Sequence, residues 1–302
     1  MLNFGKGICY SGYREGQSPL KQIYPTYNQI LEDLKILEGK FDYLRMYDTS
    51  QHSQTVLRVI RDYSLNFKVM LGVEPQGEIS NPNCPWGGLH SDEEIEINKE
   101  KNYQQLDQLA NIANQYQDIV FALSVGNENT SDWHHNLMPA DQLVNHVRYL
   151  KNIVSLPITF CEGTYAWNHH CQKLADVVDF ISIHSYPLWV RKPLSEAVDL
   201  NIEDYKMTNK QYPDKQVIFT EYGWTTSSSG QMIAEDTNEE SQKIYLEAIE
   251  KWAETHQVIM FLFEAFDEPW KGSNNPLEPE KHWGIYREDR TPKLAYQLRR
   301  LK

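Results

Sequence analysis

Two glutamates stand where this chain passes from scaffold to chemistry. Glu128 follows the apolar run 119–125 with Gly126 and Asn127 between, and Glu221 directly follows the apolar run 217–220. A carboxylate beyond the end of a core strand either sits at an open rim or has its proton affinity set by its surroundings. Taken alone, each reads as a rim charge or half of an ion pair. As a pair they allow more: two carboxyl groups about 5 Å apart can break a glycosidic bond with retention, one protonating the leaving oxygen and the other attacking the anomeric carbon.

Those two belong to a larger set of residues just beyond strand-like runs: Tyr10, Tyr47, Glu74, Asn127, Glu162, His184, Tyr186, Tyr222, Trp224, Glu264, Asp267 and Glu268. Other chemistries fit this set less well. A Schiff-base aldolase needs a lysine at a strand end, whereas Lys215 precedes its strand and Lys271 lies well into a loop. A metal-dependent hydrolase needs converging histidines, yet only His184 ends a strand, and His134, His135, His169 and His170 fall in loops. No phosphate-cradling glycine motif is present. Neutral sugar chemistry by Glu128 and Glu221, with no metal and no cofactor, is the natural use.

The elements that must position these residues alternate regularly. Strand-like runs at 6–10, 43–47, 68–73, 119–125, 158–161, 180–184, 217–220 and 258–263 are separated by segments with apolar residues at helical spacing. The first helix spans 27–37, the second carries Val56, Leu57, Ile60 and Tyr63, the third Leu106 to Ala113, and the fourth Leu143 to Leu150. A weak helix around 174–178 follows the fifth strand, and another falls within 202–212 after the sixth. Thr237 and Glu240 have the form of a capping box ahead of a stripe of Ile244, Tyr245, Ala248, Ile249 and Trp252. Pro292 opens a last helix through Leu294, Leu298 and Leu301. Eight strand–helix repeats without a linker predict an α/β fold, a single (β/α)8 TIM barrel over 1–302. One connection is oversized: residues 74–102, with Asn83-Cys84-Pro85-Trp86-Gly87-Gly88, show no period and are expected as a long loop on the rim that carries the chemistry.

Composition narrows the partners. A net charge of -13 argues against nucleic acid, whose ligands usually present a basic face. No apolar run approaches the roughly 20 residues of a membrane helix. Aromatic side chains make up 12% of the chain, including 18 Tyr and 8 Trp, and beyond those needed for the core they suit sugar rings, which offer an apolar face and polar edges. Cys9, Cys84, Cys161 and Cys171 form no metal-binding or redox pair and are expected as free thiols. The expected partner is a β-glucan poly- or oligosaccharide, with no nucleic acid, no membrane and a monomeric state. With no export signal after Met1, a cytoplasmic location is expected if Met1 is the native start, and a secreted or periplasmic one if a leader has been removed.

Five stretches in this order resemble glycoside hydrolase family 17, the β-1,3-glucanase family of retaining barrel glycosidases: Gly7-Ile8-Cys9-Tyr10, Leu44-Arg45-Met46-Tyr47, Val125-Gly126-Asn127-Glu128, Thr220-Glu221-Tyr222-Gly223-Trp224, and Asp267-Glu268-Pro269-Trp270-Lys271 followed by Glu280-Lys281-His282-Trp283-Gly284. The resemblance implies Glu128 as general acid and then base, Glu221 as nucleophile, and Asn127 as a partner of the sugar 2-hydroxyl. It implies Tyr10, Tyr47, Tyr186, Trp224 and Trp283 at the substrate, together with Glu268, Lys271 and Glu280, which form a charged cluster near the acid/base and are also expected to contact the substrate. The expected activity is retaining hydrolysis of β-1,3-glucan, endo or exo. The alternatives are a β-1,3-glucan transglycosylase using the same pair and a non-catalytic glucan-binding barrel. Plant members read Glu-Thr-Gly-Trp-Pro at the nucleophile, where this chain has Tyr222 and Thr225, and the Trp86 loop has no match in the plant pattern.

Overall fold

Short, largely apolar strands can be satisfied only if both faces are covered, and a closed parallel sheet inside a ring of helices does so. The computed structural model, which describes residues 1–297, has that form. β1 (Lys6–Cys9), β2 (Tyr43–Met46), β3 (Lys68–Gly72), β4 (Val120–Asn127), β5 (Ile158–Gly163), β6 (Ile181–His184), β7 (Val217–Tyr222) and β8 (Met260–Leu262) pair in sequence order, all parallel. β8 closes on β1 through Gly7 opposite Phe261. The predicted (β/α)8 barrel is the observed fold.

Alternation along each strand divides the core in two. Register places Cys9 beside Arg45 and Arg45 beside Met70, so these three point the same way. They lead into a small cluster of Cys9, Met70, Ala122, Cys161, Ile218 and Phe261 that fills the barrel interior. Outward neighbours such as Ile8, Leu44, Leu71, Leu123 and Phe219 join the larger cluster beneath the helices. Burying each such side chain is worth roughly 1.5–3 kcal/mol. All four cysteines are buried free thiols, as expected.

The helices mostly follow the sequence pattern. α1 (Tyr27–Leu37) has the predicted bounds and is closed by a Thr26–Gln29 capping box. α2 (Gln51–Tyr63) buries Val56, Leu57 and Ile60 but leaves Tyr63 exposed. α3 (Asp92–Gln115) corrects the expected loop at 74–102, because its last eleven residues are helix, started by Ser91 and Glu94 in a reciprocal capping box. α4 (Ala140–Lys151) is as expected. The weak helix after β5 proves to be two short ones, α5 (Thr164–His169) and α6 (Gln172–Val177), and α7 (Leu194–Gln211) begins well before its predicted window.

α8 (Glu239–His256) is capped by Asn238, whose side chain accepts from Ser241 N, and not by Thr237. The buried stripe runs through Ser241, Gln242, Tyr245, Leu246, Ile249 and Ala253, with Ile244 and Ala248 outside. Pro292 bridges Tyr286 and leads into a turn at 294–297, while Leu298 and Leu301 lie outside the described residues. Among the described residues no helix is long and apolar enough to cross a membrane.

Candidate active site

The end of β4 is shaped by its own short motif. Gly126 is required there: a Cβ at that position would stand 2.5 Å from Asn129 Oδ1 and 3.0 Å from the Phe160 ring. With that space free, Asn129 Oδ1 accepts from Asn127 N at 2.7 Å, and Asn129 Nδ2 donates to Asn136 O at 3.2 Å and Glu74 Oε1 at 3.3 Å. Glu128 adopts a left-handed backbone, φ 56°, while its N–H donates to Cys161 O at 2.8 Å. A non-glycine residue held there is strained by about 1–3 kcal/mol, and the turn directs its side chain, 21% exposed, into the cleft. Buried Glu162 fixes the following loop, accepting from Thr130 Oγ1 at 2.6 Å, Thr130 N at 3.1 Å and Ser131 Oγ at 3.1 Å. Burial, and secondarily the nearby Glu128 charge, pushes Glu162 up to about 7.

Glu221, at the end of β7, is a buried carboxylate surrounded by donors. Oε1 accepts from Arg45 Nη1 at 2.6 Å and Tyr47 OH at 2.8 Å, and Oε2 accepts from Tyr186 OH at 2.7 Å. Burial alone would raise its proton affinity, but the charges of His184 and Arg45 and the two phenols outweigh it and hold Glu221 down at about 2. Arg45 is in turn fixed by Thr220 O at 3.0 Å, by Asn127 Oδ1, and by the Tyr47 ring 4.3 Å from its guanidinium carbon. Anchored this way, Asn127 is oriented by the same arginine that holds Glu221.

His184 stands between the two glutamates. Its Nδ1 lies 2.7 Å from Glu128 Oε1 and 3.6 Å from Glu221 Oε2. Burial disfavours an imidazolium, and Arg45 Nη1 at 3.4 Å from Nε2 opposes a second cation. The two carboxylates on the other side of the ring prevail and push His184 up to about 10. One ligand atom from each of Glu128, His184 and Glu221 lies within 4.8 Å of the others. That spacing would also admit a divalent ion, but Arg45, Tyr47 and Tyr186 already occupy both Glu221 oxygens with donors, so the set fits a carboxylate held for chemistry better than a metal ligand.

The cleft around this centre has a volume of ≈ 1050 Å³, at the top of the roughly 300–1,000 Å³ usual for a small-ligand pocket. Tyr10, Tyr47, Asn127, Tyr186, Lys271, Glu280 and Trp283 line it together with the two glutamates. The Trp283 ring packs against Tyr186, ring centres 5.1 Å apart, and its indole N–H has no hydrogen-bond partner among the described residues. Tyr10 presents its ring, its hydroxyl being engaged by Asp33 at 3.1 Å.

Two expected substrate contacts are corrected. Trp224 does not reach the cleft: it is fully buried against Tyr245 of α8, ring centres 4.9 Å apart, and its Nε1 donates to Asp236 O at 2.8 Å. Glu268 is also fully buried, accepting from Tyr13 N at 3.0 Å and Trp270 Nε1 at 3.1 Å, so it touches no ligand. It serves the charged cluster instead, where Lys271 Nζ lies 3.1 Å from Glu268 and 2.6 Å from Glu264. Burial lowers the lysine's proton affinity, but those two carboxylates more than restore it. Sequence reasoning missed Arg45 as part of the centre, placed His184 at a strand end without seeing that it joins the two glutamates, and missed Trp133, Trp189 and Trp270 as parts of the wall. Arg45 carried a readable signal, since a cation inside an otherwise apolar strand demands a buried anion.

Residues 7–284 match the family model of the BtgE/BtgC glycoside hydrolase domain. The chain is 24% identical over 283 residues to a glucan 1,3-beta-glucosidase of Arthroderma benhamiae, covering 87% of this chain and 82% of that protein. In three dimensions it is similar to an endo-laminarinase from a Formosa strain, with TM-score 0.82, 24% identity and coverage of 96% of this chain and 85% of the other. It is similar too to a glycoside hydrolase family 17 beta-1,3-glucanosyltransferase from Rhizomucor miehei, with TM-score 0.74, 19% identity and coverage of 96% and 95%.

Proposed function

Because this chain belongs to the BtgE/BtgC glycoside hydrolase domain family, we infer that it is a retaining glycosidase of the family 17 type acting on β-1,3-glucan, with Glu221 as nucleophile and Glu128 as acid/base. The observation that carries the reading is the spacing: an oxygen of Glu128 and one of Glu221 fall within 4.8 Å of each other. Carboxyl pairs about 5–5.5 Å apart serve retention, whereas inversion needs about 6.5–9.5 Å to admit a water. The β-1,3 linkage is supported by the names of the similar proteins, a glucan 1,3-beta-glucosidase and an endo-laminarinase among them.

The geometry supports one order of events. Arg45, Tyr47 and Tyr186 keep Glu221 ionised and pointing into the cleft, ready to attack the anomeric carbon. Glu128, which can draw a proton across its 2.7 Å contact with His184 Nδ1, gives it to the departing glycosidic oxygen, and Asn127, steadied by Arg45, meets the 2-hydroxyl of the sugar under attack, where such bonds strengthen in the transition state. Glu128 then takes a proton from the incoming water as the ester to Glu221 breaks. A sugar hydroxyl in place of that water gives transglycosylation with the same pair. A binding protein would have no use for a buried carboxylate held ionised by an arginine and two phenols.

Azide rescue tests the assignment. Glu221→Ala with azide should yield an α-glycosyl azide from an activated β-glucoside, and Glu128→Ala with azide the β-anomer, while Glu221→Gln without azide should lose turnover and retain measurable oligosaccharide binding. Exchanged anomers, or full activity in either alanine variant, would remove these roles.

A further inference from the structure

The cleft has a feature that hydrolysis at Glu128 and Glu221 does not use. Trp86 and Trp133 both line it, yet they are 64% and 43% exposed. Their ring centres lie 6.4 Å apart at an interplanar angle of 50°. Exposed tryptophans on mobile loops would be unremarkable, but these two ride on a clamped scaffold. Asn81 Nδ2 donates across to Asp132 O at 2.7 Å and His134 O at 2.9 Å, tying the loop of Trp86 to the loop of Trp133. Asn81 N also donates to Gly88 O at 2.6 Å, closing the tip that carries Trp86. From below, Asn98 Nδ2 reaches Gly77 O at 2.8 Å, and Asn102 bonds Gln76 through both its Oδ1 and its Nδ2. Two large apolar rings are thus held toward solvent in fixed positions, at a hydrophobic cost that a stacked ligand would recover.

Their place in the fold says which part of a ligand. Trp133 lies five residues beyond Glu128 on the same β4–α4 connection, and the proton donor necessarily stands on the leaving-group side of the bond being cut. We propose that Trp86 and Trp133 form a preorganised stacking site for the sugars on the leaving-group side, and therefore for an acceptor β-1,3-oligosaccharide that takes the glycosyl group from Glu221. The proposal rests on the assignment of Glu128 and Glu221 above. In the transfer step the bond from the anomeric carbon to the Glu221 oxygen breaks, its electron pair returning to the carboxylate. The acceptor's 3-hydroxyl oxygen bonds to that carbon, and its proton passes to Glu128. The 50° tilt gives successive sugars two differently inclined faces, which suits a chain that turns between residues better than a flat ribbon.

The test traps the intermediate with 2-deoxy-2-fluoro-β-laminaribiosyl fluoride and follows recovery of activity in buffer alone and with laminaribiose as acceptor. In the unmodified enzyme laminaribiose should accelerate recovery in a saturable way. In Trp86→Ala and Trp133→Ala the ratio of acceptor-dependent to water-dependent recovery should fall about tenfold, ~1.4 kcal/mol, and Trp→Phe at either position should restore most of it. A ratio unchanged in both alanine variants overturns the stacking site, as does a parallel fall in both rates. Failure of the inhibitor to label Glu221 at all overturns the underlying catalytic assignment instead, so the two failures are told apart by the mass of the labelled peptide.

Discussion

Tyr186→Phe isolates one of the contacts that keep Glu221 ionised. The phenol donates to Glu221 Oε2 at 2.7 Å, and the ring packs edge-on to Trp283 and Phe263 with centres 5.1 and 6.0 Å away, contacts that phenylalanine retains. The Glu221 side chain is only 8% exposed, so water replaces the lost donor poorly. A hydrogen bond to a buried charge is worth about 1.5–3 kcal/mol, and a pH unit corresponds to ~1.4 kcal/mol. Glu221, held at about 2, should therefore rise by roughly one to two units. In a profile of kcat/KM against pH with an aryl β-laminaribioside, the acidic limb, which reports the free enzyme, should move to higher pH by that amount. The stability effect has the same origin. A carboxylate whose proton affinity is depressed on folding contributes stability above its ordinary value of 4.5, and that contribution is lost as pH falls toward 2. Urea unfolding should thus show Tyr186→Phe less stable at neutral pH, with the gap closing in acid. An acidic limb that stays in place or moves lower would refute the account of how Glu221 is kept ionised.

His184, pushed up to about 10 by Glu221 and Glu128 against its burial, contributes stability that is complete below its ordinary 6.5 and lost as pH rises toward 10. The urea midpoint of the unmodified protein should fall across that window and that of His184→Gln should fall less, whereas equal slopes would place the proton elsewhere. Ser91→Ala removes the capping box of α3 and should lower stability by about 1 kcal/mol, with faster amide exchange confined to the first turns after Asp92. Unchanged exchange there would mean that the box does not hold that end.

What could be read from the sequence divides along physical lines. Strands sealed on both faces announce themselves as apolar runs, so all eight were legible, and with them the strand-end positions of Glu128 and Glu221. The environment of each glutamate was not, because Arg45, His184 and Tyr186 come from β2, β6 and the loop beyond β6, and only closure of the barrel brings them together. Trp224 shows the opposite failure. Proximity in sequence to Glu221 suggested the cleft, but along a strand neighbouring side chains leave by opposite faces, and beyond β7 the chain turns Trp224 onto Tyr245. The start of α8 shows how little separates two caps: Thr237 and Asn238 are adjacent and both can accept from the backbone two or three residues on, and it is Asn238 that accepts from Ser241 N.

The unread half of α3 is the most instructive case, because the missing signal and the proposed role have one cause. The buried face of this helix is continuous: Asn98, Asn102, Leu106, Leu109, Ala110 and Ala113 follow one another at helical spacing. Its first two members are polar because they face the backbone of the Trp86 loop, whereas the later ones pack against the barrel. A leucine at 102 would keep the apolar period and would leave Gln76 N and O without the bonds that Asn102 supplies at 2.7 and 2.9 Å. Buried amides are tolerated only when so satisfied, so an asparagine pair on an otherwise apolar stripe marks the place where a helix stops supporting the barrel and begins to hold a loop. Here the loop held is the one that presents Trp86 to the cleft, and the period breaks where the scaffold passes from fold to ligand.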